Sequence, residues 1–282
     1  MRKRVRRLVL ALISLLVGYS FVAAKEAENP SKVREKKPYR CGVIMQVEKL
    51  EGFYRYSEDT SDRFSNGELG FGADCAYRHG QFGLFGGAGL ATGDLDISHQ
   101  DYFLDGTLYA PQLSFKGQIG ATIFASSFAS ITAHAGTRLM PDVDFEIRDL
   151  WIKFSNGTLN MTSLAKKHIQ ISGALTVWEA GGSIRFYLYR SISTSLDVMW
   201  QRYQVDLSAK LDNYATGIMA IYGSAITSRA SLRDDIDFVL MTPEIGWCVD
   251  RRICASVSMP LAVMSGDRWI RGGNFKLSVP FF

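Results

Sequence analysis

The sequence has few prolines, histidines and cysteines, and after its first 24 residues no stretch shows clear helical periodicity. It contains 4 histidines and 4 cysteines in 282 residues, and these show no metal-ligand spacing. We therefore predict no metal site and no cofactor. The 7 prolines stand beside 26 glycines and 12% aromatic residues. That combination favours many strands joined by tight turns.

The N-terminus has the composition of a secretory leader. Residues 2–7 carry five basic side chains, and Leu8–Val17 is almost purely apolar. Val22–Ala24 then offers the small side chains that a signal peptidase needs, so we predict cleavage after Ala24. A spanning helix needs roughly 20 apolar residues. The shorter apolar core therefore favours a cleaved leader over the alternative, an uncleaved membrane anchor.

Removal of this leader changes the charge balance. The whole chain has 32 Lys and Arg against 28 Asp and Glu. The leader holds five of the basic residues and no acidic residue, which leaves 27 against 28. The mature chain thus lacks a basic excess, and we predict no nucleic-acid partner. The charged segment Lys25–Arg40 contains Pro30 and Pro38 and is predicted to be a flexible periplasmic tether.

From Cys41 to Phe282, apolar and polar side chains alternate with period two, which predicts half-buried strands within one domain over 41–282. The predicted strands are 41–56, 67–77, 82–92, 106–125, 129–140, 166–188, 192–208, 234–249, 253–264 and 273–282. Short turns join some of these strands, and longer polar loops join the others. The predicted long loops are 57–66, 93–105, 141–165, 209–233 and 265–272.

An even number of strands, with short turns at one end and long loops at the other, is the layout of bacterial outer-membrane barrels. We therefore predict an all-β fold, an antiparallel up-and-down transmembrane β-barrel of ten strands. Eight or twelve strands would require one merged or one missed hairpin. A soluble β-sandwich or barrel is the alternative. It is disfavoured because 117–137 contains no Asp, Glu, Lys or Arg, which suits a hairpin facing a membrane.

The last ten residues carry a resemblance to a known class. Gly273–Phe282 is an amphipathic strand that ends in an aromatic residue, and in this the chain resembles the small outer-membrane β-barrel proteins of bacteria. The resemblance implies residence in the bacterial outer membrane, contact with its lipid, and recognition of this strand by the barrel-assembly machinery. The apolar set that includes Phe275 and Phe281 is one residue out of phase with Phe282. Pro280 also departs from the usual pattern.

The cysteines are predicted to form two disulfides, because an exported chain meets an oxidising compartment. If residues 250–252 form a three-residue hairpin loop, Cys248 lies opposite Cys254 on the polar face. Cys41 begins the first strand, and Cys75 ends the second strand at the same end of the barrel. A Cys41–Cys75 bond is therefore consistent with the predicted pairing. The alternative is free thiols buried as small apolar groups.

The polar faces of the predicted strands would line the lumen. In a barrel of about ten strands the interior is narrow, so charges there must pair or reach trapped water. This reasoning predicts a lumen charge network of Glu48, Asp74, Lys116, His134, Arg138, Glu179, Arg185, Asp197 and Lys276. Such a network favours a lumen plugged by side chains. The alternative is a narrow porin-like channel for small polar solutes.

Omptin proteases are also outer-membrane barrels of ten strands, and they activate water with an Asp pair that faces an Asp-His pair. Asp94 and Asp96 resemble the first pair superficially. The histidines are His79, His99, His134 and His168, and none has an Asp two residues before it. A general base needs its partner across the substrate, so we predict that the chain is not an enzyme.

Three functions remain at this stage. The first is a structural or interaction role, in which surface-exposed loops contact an extracellular ligand or a host surface. The second is the narrow channel, and the third is an outer-membrane hydrolase. Loops carry recognition, and these loops show no motif that would identify a ligand.

Overall fold

The computed structural model describes residues 39–126, 128–188, 191–214, 216, 229–249, 253–264 and 268–280. The predicted leader, its cleavage site and the tether up to residue 38 lie outside the described residues. The first strand begins at Tyr39, so the last two residues of the predicted tether already belong to the sheet. Among the described residues, no helix is long and apolar enough to cross a membrane.

The described residues form one antiparallel sheet of twelve strands that closes on itself, because the first strand pairs with the last. The strands are β1 Tyr39–Arg55, β2 Ser61–His79, β3 Phe82–Gln100, β4 Leu104–Ile123, β5 Ala129–Phe154, β6 Gly157–Asn160, β7 Ile169–Tyr187, β8 Ile192–Leu211, β9 Arg229–Val249, β10 Ile253–Ser258, β11 Leu261–Met264 and β12 Arg268–Pro280. A short helix, α1, spans Thr162–His168.

The twelve strands occupy ten positions around the barrel wall, which is the number of strands predicted. The strand β6 pairs only with the end of β5, and β10 and β11 occupy one wall position between β9 and β12. Pro260 lies in the gap between β10 and β11, since proline has no backbone N–H to give to the ladder. The prediction of an antiparallel up-and-down barrel with about ten strands is confirmed.

The predicted long loops are wrong in extent, because the strands continue into them. The strand β5 runs for 26 residues to Phe154, through much of the predicted loop 141–165, and the rest of that loop holds β6 and α1. The strand β3 runs to Gln100, so Asp94 and Asp96 lie within it rather than at its end. In these strand extensions the sequence no longer alternates between apolar and polar residues, because the outward side chains become polar beyond the apolar band. The helix was missed because 7 residues are too few for a period of 3.6 to show.

The outward face carries an apolar band that begins at the short turns. On β8 the outward positions run from Ile192 to Trp200 before Arg202 follows, and on β9 they run from Val249 to Val239 before Asp237 follows. A tilted spanning strand needs about 9–11 residues, and these stretches match that length. The strands are longer, at 17 residues or more in β1 and β2. The barrel therefore extends past the band on its loop side.

Both predicted cysteine pairs are bonded in the structure, at the turn side of the barrel. Cys248 and Cys254 are direct partners across β9 and β10, and their Cα atoms are 4.0 Å apart. Cys41 and Cys75 are direct partners across β1 and β2, also with Cα atoms 4.0 Å apart. The first pair lies on the lumen face, and the second lies on the outward face.

Candidate functional site

The lumen face can be followed from strand to strand, because residues that pair directly point to the same side of a sheet. Glu48 pairs with Glu68, and Lys116 pairs with Arg138. By the same ladder, all nine residues of the predicted lumen charge network lie on the lumen face. The structure brings six of them into ion pairs and leaves three without an ion pair among the described residues.

Four charged side chains meet in the middle of the lumen, and we call them the charge layer: Glu48, Glu68, Lys116 and Arg138. The Lys116 Nζ atom lies 3.1 Å from Glu48 Oε2 and 2.6 Å from Glu68 Oε2. The Arg138 guanidinium lies 3.1 Å from Glu48 Oε2 and 3.4 Å from Glu68 Oε2. Each carboxylate therefore contacts both cations, and the layer has no net charge.

The arrangement explains why like charges can stand side by side. Two glutamates directly opposite on neighbouring strands repel each other, and so do a lysine and an arginine. Here the Glu48–Glu68 pair of β1 and β2 faces the Lys116–Arg138 pair of β4 and β5. The side chains of Glu68 and Arg138 are only 1% and 7% exposed. Desolvation makes such charges costly unless they are paired, so the four side chains depend on one another.

Neutral polar side chains surround Glu68 and fix its position. Gln112 Nε2 and Ser114 Oγ each donate to Glu68 Oε1 at 3.3 Å. Gln112 also donates to Asn66 Oδ1. These residues are buried on the lumen face, and they connect β2 and β4 beside the charge layer.

The turn side of the lumen is polar and more open. His134 Nε2 lies 2.9 Å from Asp197 Oδ1, and an Arg185 guanidinium nitrogen lies 2.8 Å from Glu244 Oε1. Gln201 donates to Glu179 at 2.9 Å. A polar cavity of about 160 Å³ lies between this region and the charge layer.

Asp74 and Lys276 complete the predicted set. They form no ion pair with any residue that the structure describes. Glu179 likewise forms no ion pair with a described residue, and it accepts a hydrogen bond from Gln201.

The loop side of the lumen is apolar, which the sequence reasoning did not predict. A buried cluster contains Leu50, Tyr54, Phe238, Leu240 and Ile270. A second cluster contains Ala110, Met140 and Val143. Barrel interiors in outer membranes are usually polar. This lumen changes character at the charge layer, from polar on the turn side to apolar on the loop side.

The sequence reasoning also missed Glu68 and Glu244. The sequence pattern would have identified both. Glu68 alternates with the outward residues Leu69 and Phe71 of β2, and Glu244 alternates with the outward residues Met241 and Ile245 of β9. Their phase alone assigns them to the lumen face. Gln112 and Gln201 lack a charge, and only the structure shows that they donate hydrogen bonds to Glu68 and Glu179.

The candidate protease residues lie on the outward face of β3. Asp94 and Asp96 face outward, where Asp94 accepts a hydrogen bond from the Tyr109 hydroxyl and Asp96 pairs with Arg148. They therefore lie on the outside of the wall and not in the mouth of the lumen. A carboxylate pair in this position cannot face a histidine across a substrate.

His99 lies at the loop-side mouth and joins two carboxylates. Its Nδ1 atom lies 2.6 Å from Asp62 Oδ1, and its Nε2 atom lies 3.1 Å from Asp101 Oδ2. Partial burial disfavours the charged ring, but the hydrogen bonds to the two carboxylates outweigh it and raise the pKa of His99. Both ring nitrogens are engaged, and His99 thereby links the outer ends of β2 and β3.

No protein-family model matches this sequence, and no curated protein matches it either. The fold is similar to that of the outer membrane protease OmpT from Escherichia coli, with 8% identity, coverage of 86% of this chain and 94% of that chain, and a TM-score of 0.51. The translocator domain of the autotransporter NalP from Neisseria meningitidis matches with 8% identity, coverage of 97% and 96%, and a TM-score of 0.42. At 8% identity the likeness to OmpT shows the fold alone, a β-barrel of the bacterial outer-membrane type.

Proposed function

We propose that this chain is an integral outer-membrane protein of a two-membraned bacterium, that its lumen is closed, and that it acts through its loop-side surface. The location is supported by the barrel fold, by the apolar outward band and by the leader-like N-terminus. In this proposal the leader is cleaved after Ala24, the assembly machinery recognises the last strand, and lipid surrounds the band. An extracellular ligand or a host surface would meet the loop side.

The charge layer is the observation that carries the closed lumen. An aqueous pore must offer a continuous polar path along the barrel. Here two carboxylates and two cations fill the centre, and apolar side chains follow on the loop side. A hydrated ion would have to displace the paired charges and then cross an apolar region, and both steps are unfavourable.

Conductance measurements test this closure. The refolded full chain is placed in a planar lipid bilayer, beside an unrelated open porin as a positive control. We expect a current no larger than that of the lipid alone. Stable single-channel openings would overturn the closed lumen and would support the alternative, a narrow channel for small polar solutes.

Localisation is tested separately. After expression in a two-membraned bacterium, we expect the protein in the outer-membrane fraction, with a gel migration that changes on heating. A protein that is released by salt and does not change its migration would contradict the membrane assignment, whatever the conductance result.

We further propose that the chain is not a hydrolase of the omptin type. The outward positions of Asp94 and Asp96 support this, together with the double engagement of His99. If any peptide hydrolysis is detected, the double variant Asp94→Asn and Asp96→Asn should leave its rate unchanged. A loss of that hydrolysis would refute this part of the proposal.

A further inference from the structure

The apolar loop side of the lumen encloses a cavity that the closed-lumen proposal does not use. Phe64, Leu95, Phe145, Leu175, Val205 and Phe238 contribute to its lining. These side chains come from strands on all sides of the barrel, and their phase places them on the lumen face. The cavity therefore lies within the barrel and is separate from the lipid-facing surface.

The floor of the cavity lies at the level of the charge layer. Tyr203 pairs with Val177, which in turn pairs with Arg138. The rings of Tyr203 and Phe238 stack with their centroids 5.1 Å apart, and both residues line the cavity at this end. Tyr56 and Asp62, at the outer ends of β1 and β2, also line it. Access is therefore from the loop side.

The volume limits the size of an occupant. The cavity measures about 160 Å³. An apolar cavity of roughly 150 Å³ in a protein core stays dry and takes up benzene. A molecule with one ring fits this space, whereas a long acyl chain or an oligosaccharide does not.

One polar atom within the lining lacks a partner. The Tyr54 side chain lines the cavity, and the residue is only 8% exposed. Its hydroxyl oxygen has no hydrogen-bond partner among the described residues. A buried hydroxyl without a partner is unfavourable, and a carbonyl or ether oxygen on a bound molecule would accept its hydrogen.

We propose that this cavity binds one small uncharged molecule that carries a single ring and a hydrogen-bond acceptor. The molecule enters from the loop side, its ring packs against the apolar lining, and its acceptor receives the hydrogen of the Tyr54 hydroxyl. Arg63 belongs to the lining, but its guanidinium lies over the Phe53 ring, 5.3 Å from the ring centroid, and the acidic Asp62 also lines the cavity. A carboxylate analogue would therefore enter without a free cation and beside an acidic side chain, which is unfavourable. The charge layer stops the molecule from passing through.

Three probes with the same ring test the proposal: acetophenone, ethylbenzene and benzoate. Binding to the full chain in lipid nanodiscs is measured by saturation-transfer NMR, with empty nanodiscs as the blank. We expect acetophenone to bind on the order of tenfold more tightly than ethylbenzene, the effect of one hydrogen bond. Benzoate should not bind. Equal binding of benzoate, or binding of none of the three, would overturn the proposal.

Two variants locate the site. Tyr54→Phe should remove the preference for acetophenone and leave ethylbenzene binding unchanged. Val205→Phe should fill the cavity and abolish both, whereas the control Val198→Phe, on the lipid-facing side of the same strand, should change neither. Each variant is first checked for heat-modifiable migration, which shows that it has folded. Unchanged binding in Val205→Phe would place the probes elsewhere and refute the assignment, independently of the conductance result.

Discussion

Replacing Arg138 tests whether mutual neutralisation holds the charge layer together. Arg138→Met keeps a long side chain but leaves Glu48 and Glu68, which are direct partners, with Lys116 as their one cation among the described residues. Removing one partner of a buried ion pair costs about 3–5 kcal/mol, because the other charge stays buried. Both glutamates are buried or nearly so, with side chains 15% and 1% exposed. We expect a loss of this size in the free energy of unfolding.

The measurement is urea unfolding of the protein refolded in lipid vesicles, followed by tryptophan fluorescence. The double variant Glu68→Gln with Arg138→Met restores neutrality, since one carboxylate then faces one ammonium. We expect its loss in the free energy of unfolding to be smaller, by about 1–3 kcal/mol, than the sum of the losses in the two single variants.

The matched control is Arg148→Met, which breaks an outward pair with Asp96 whose side chains are 46% and 36% exposed. An exposed pair contributes less than about 1 kcal/mol. The reasoning is refuted if Arg138→Met costs no more than this control. It is also refuted if the two changes in the charge layer are additive within about 0.5 kcal/mol.

Three further predictions concern the ion pairs of His99, one glycine and one disulfide. The pKa of His99 is raised above 6.5, so its ion pairs stabilise the folded barrel most below that pH and lose their effect as the pH rises through the raised value. The protection factor of amide hydrogen exchange at the outer end of β3, which is corrected for the intrinsic pH dependence of exchange, should therefore fall at alkaline pH, and His99→Gln should abolish this fall. A Cβ at Gly93 would meet the backbone oxygen of Gly67, so Gly93→Ala should lower the free energy of unfolding by about 1–3 kcal/mol. Gly67→Ala is the control, since a Cβ there meets nothing within 4 Å. Replacing Cys248 and Cys254 by Ser should cost about 2 kcal/mol in urea unfolding, because the bond closes a loop with a sequence separation of only 6. No change in midpoint would contradict that entropic account.

The barrel fold can be predicted from the sequence because a membrane imposes alternation of apolar and polar residues on every strand that crosses it. Where that constraint ends, the prediction fails. In β5 the register shifts between Met140 and Val143, and Asp142 has a φ of 53°. This bulge moves the inward phase from even to odd residue numbers. A reader of the sequence sees the alternation stop and infers a loop, although the strand continues to Phe154.

The candidate site is predictable only to the level of faces. Phase assigns Glu48, Lys116 and Arg138 to the lumen, and the same rule assigns Glu68. Phase does not say which of these side chains meet, because contact across the lumen depends on how the closed sheet curves. The apolar character of the loop side of the lumen was not predicted, for a related reason. Outside the membrane band both faces of a strand can be apolar or polar, so alternation no longer separates the lumen from the exterior.

The pairing within the charge layer has a consequence for the assembly of the barrel. Each hairpin that contributes to the layer is repulsive by itself, since β1 and β2 juxtapose two glutamates while β4 and β5 juxtapose two cations. A flat or partly built sheet keeps these pairs apart. The anionic hairpin contacts the cationic one only when the sheet curls. The attraction between opposite charges therefore offsets the repulsion within each hairpin only when the barrel closes. The layer thereby penalises incomplete barrels and makes closure cooperative, which favours a finished ring over an open sheet with exposed edges.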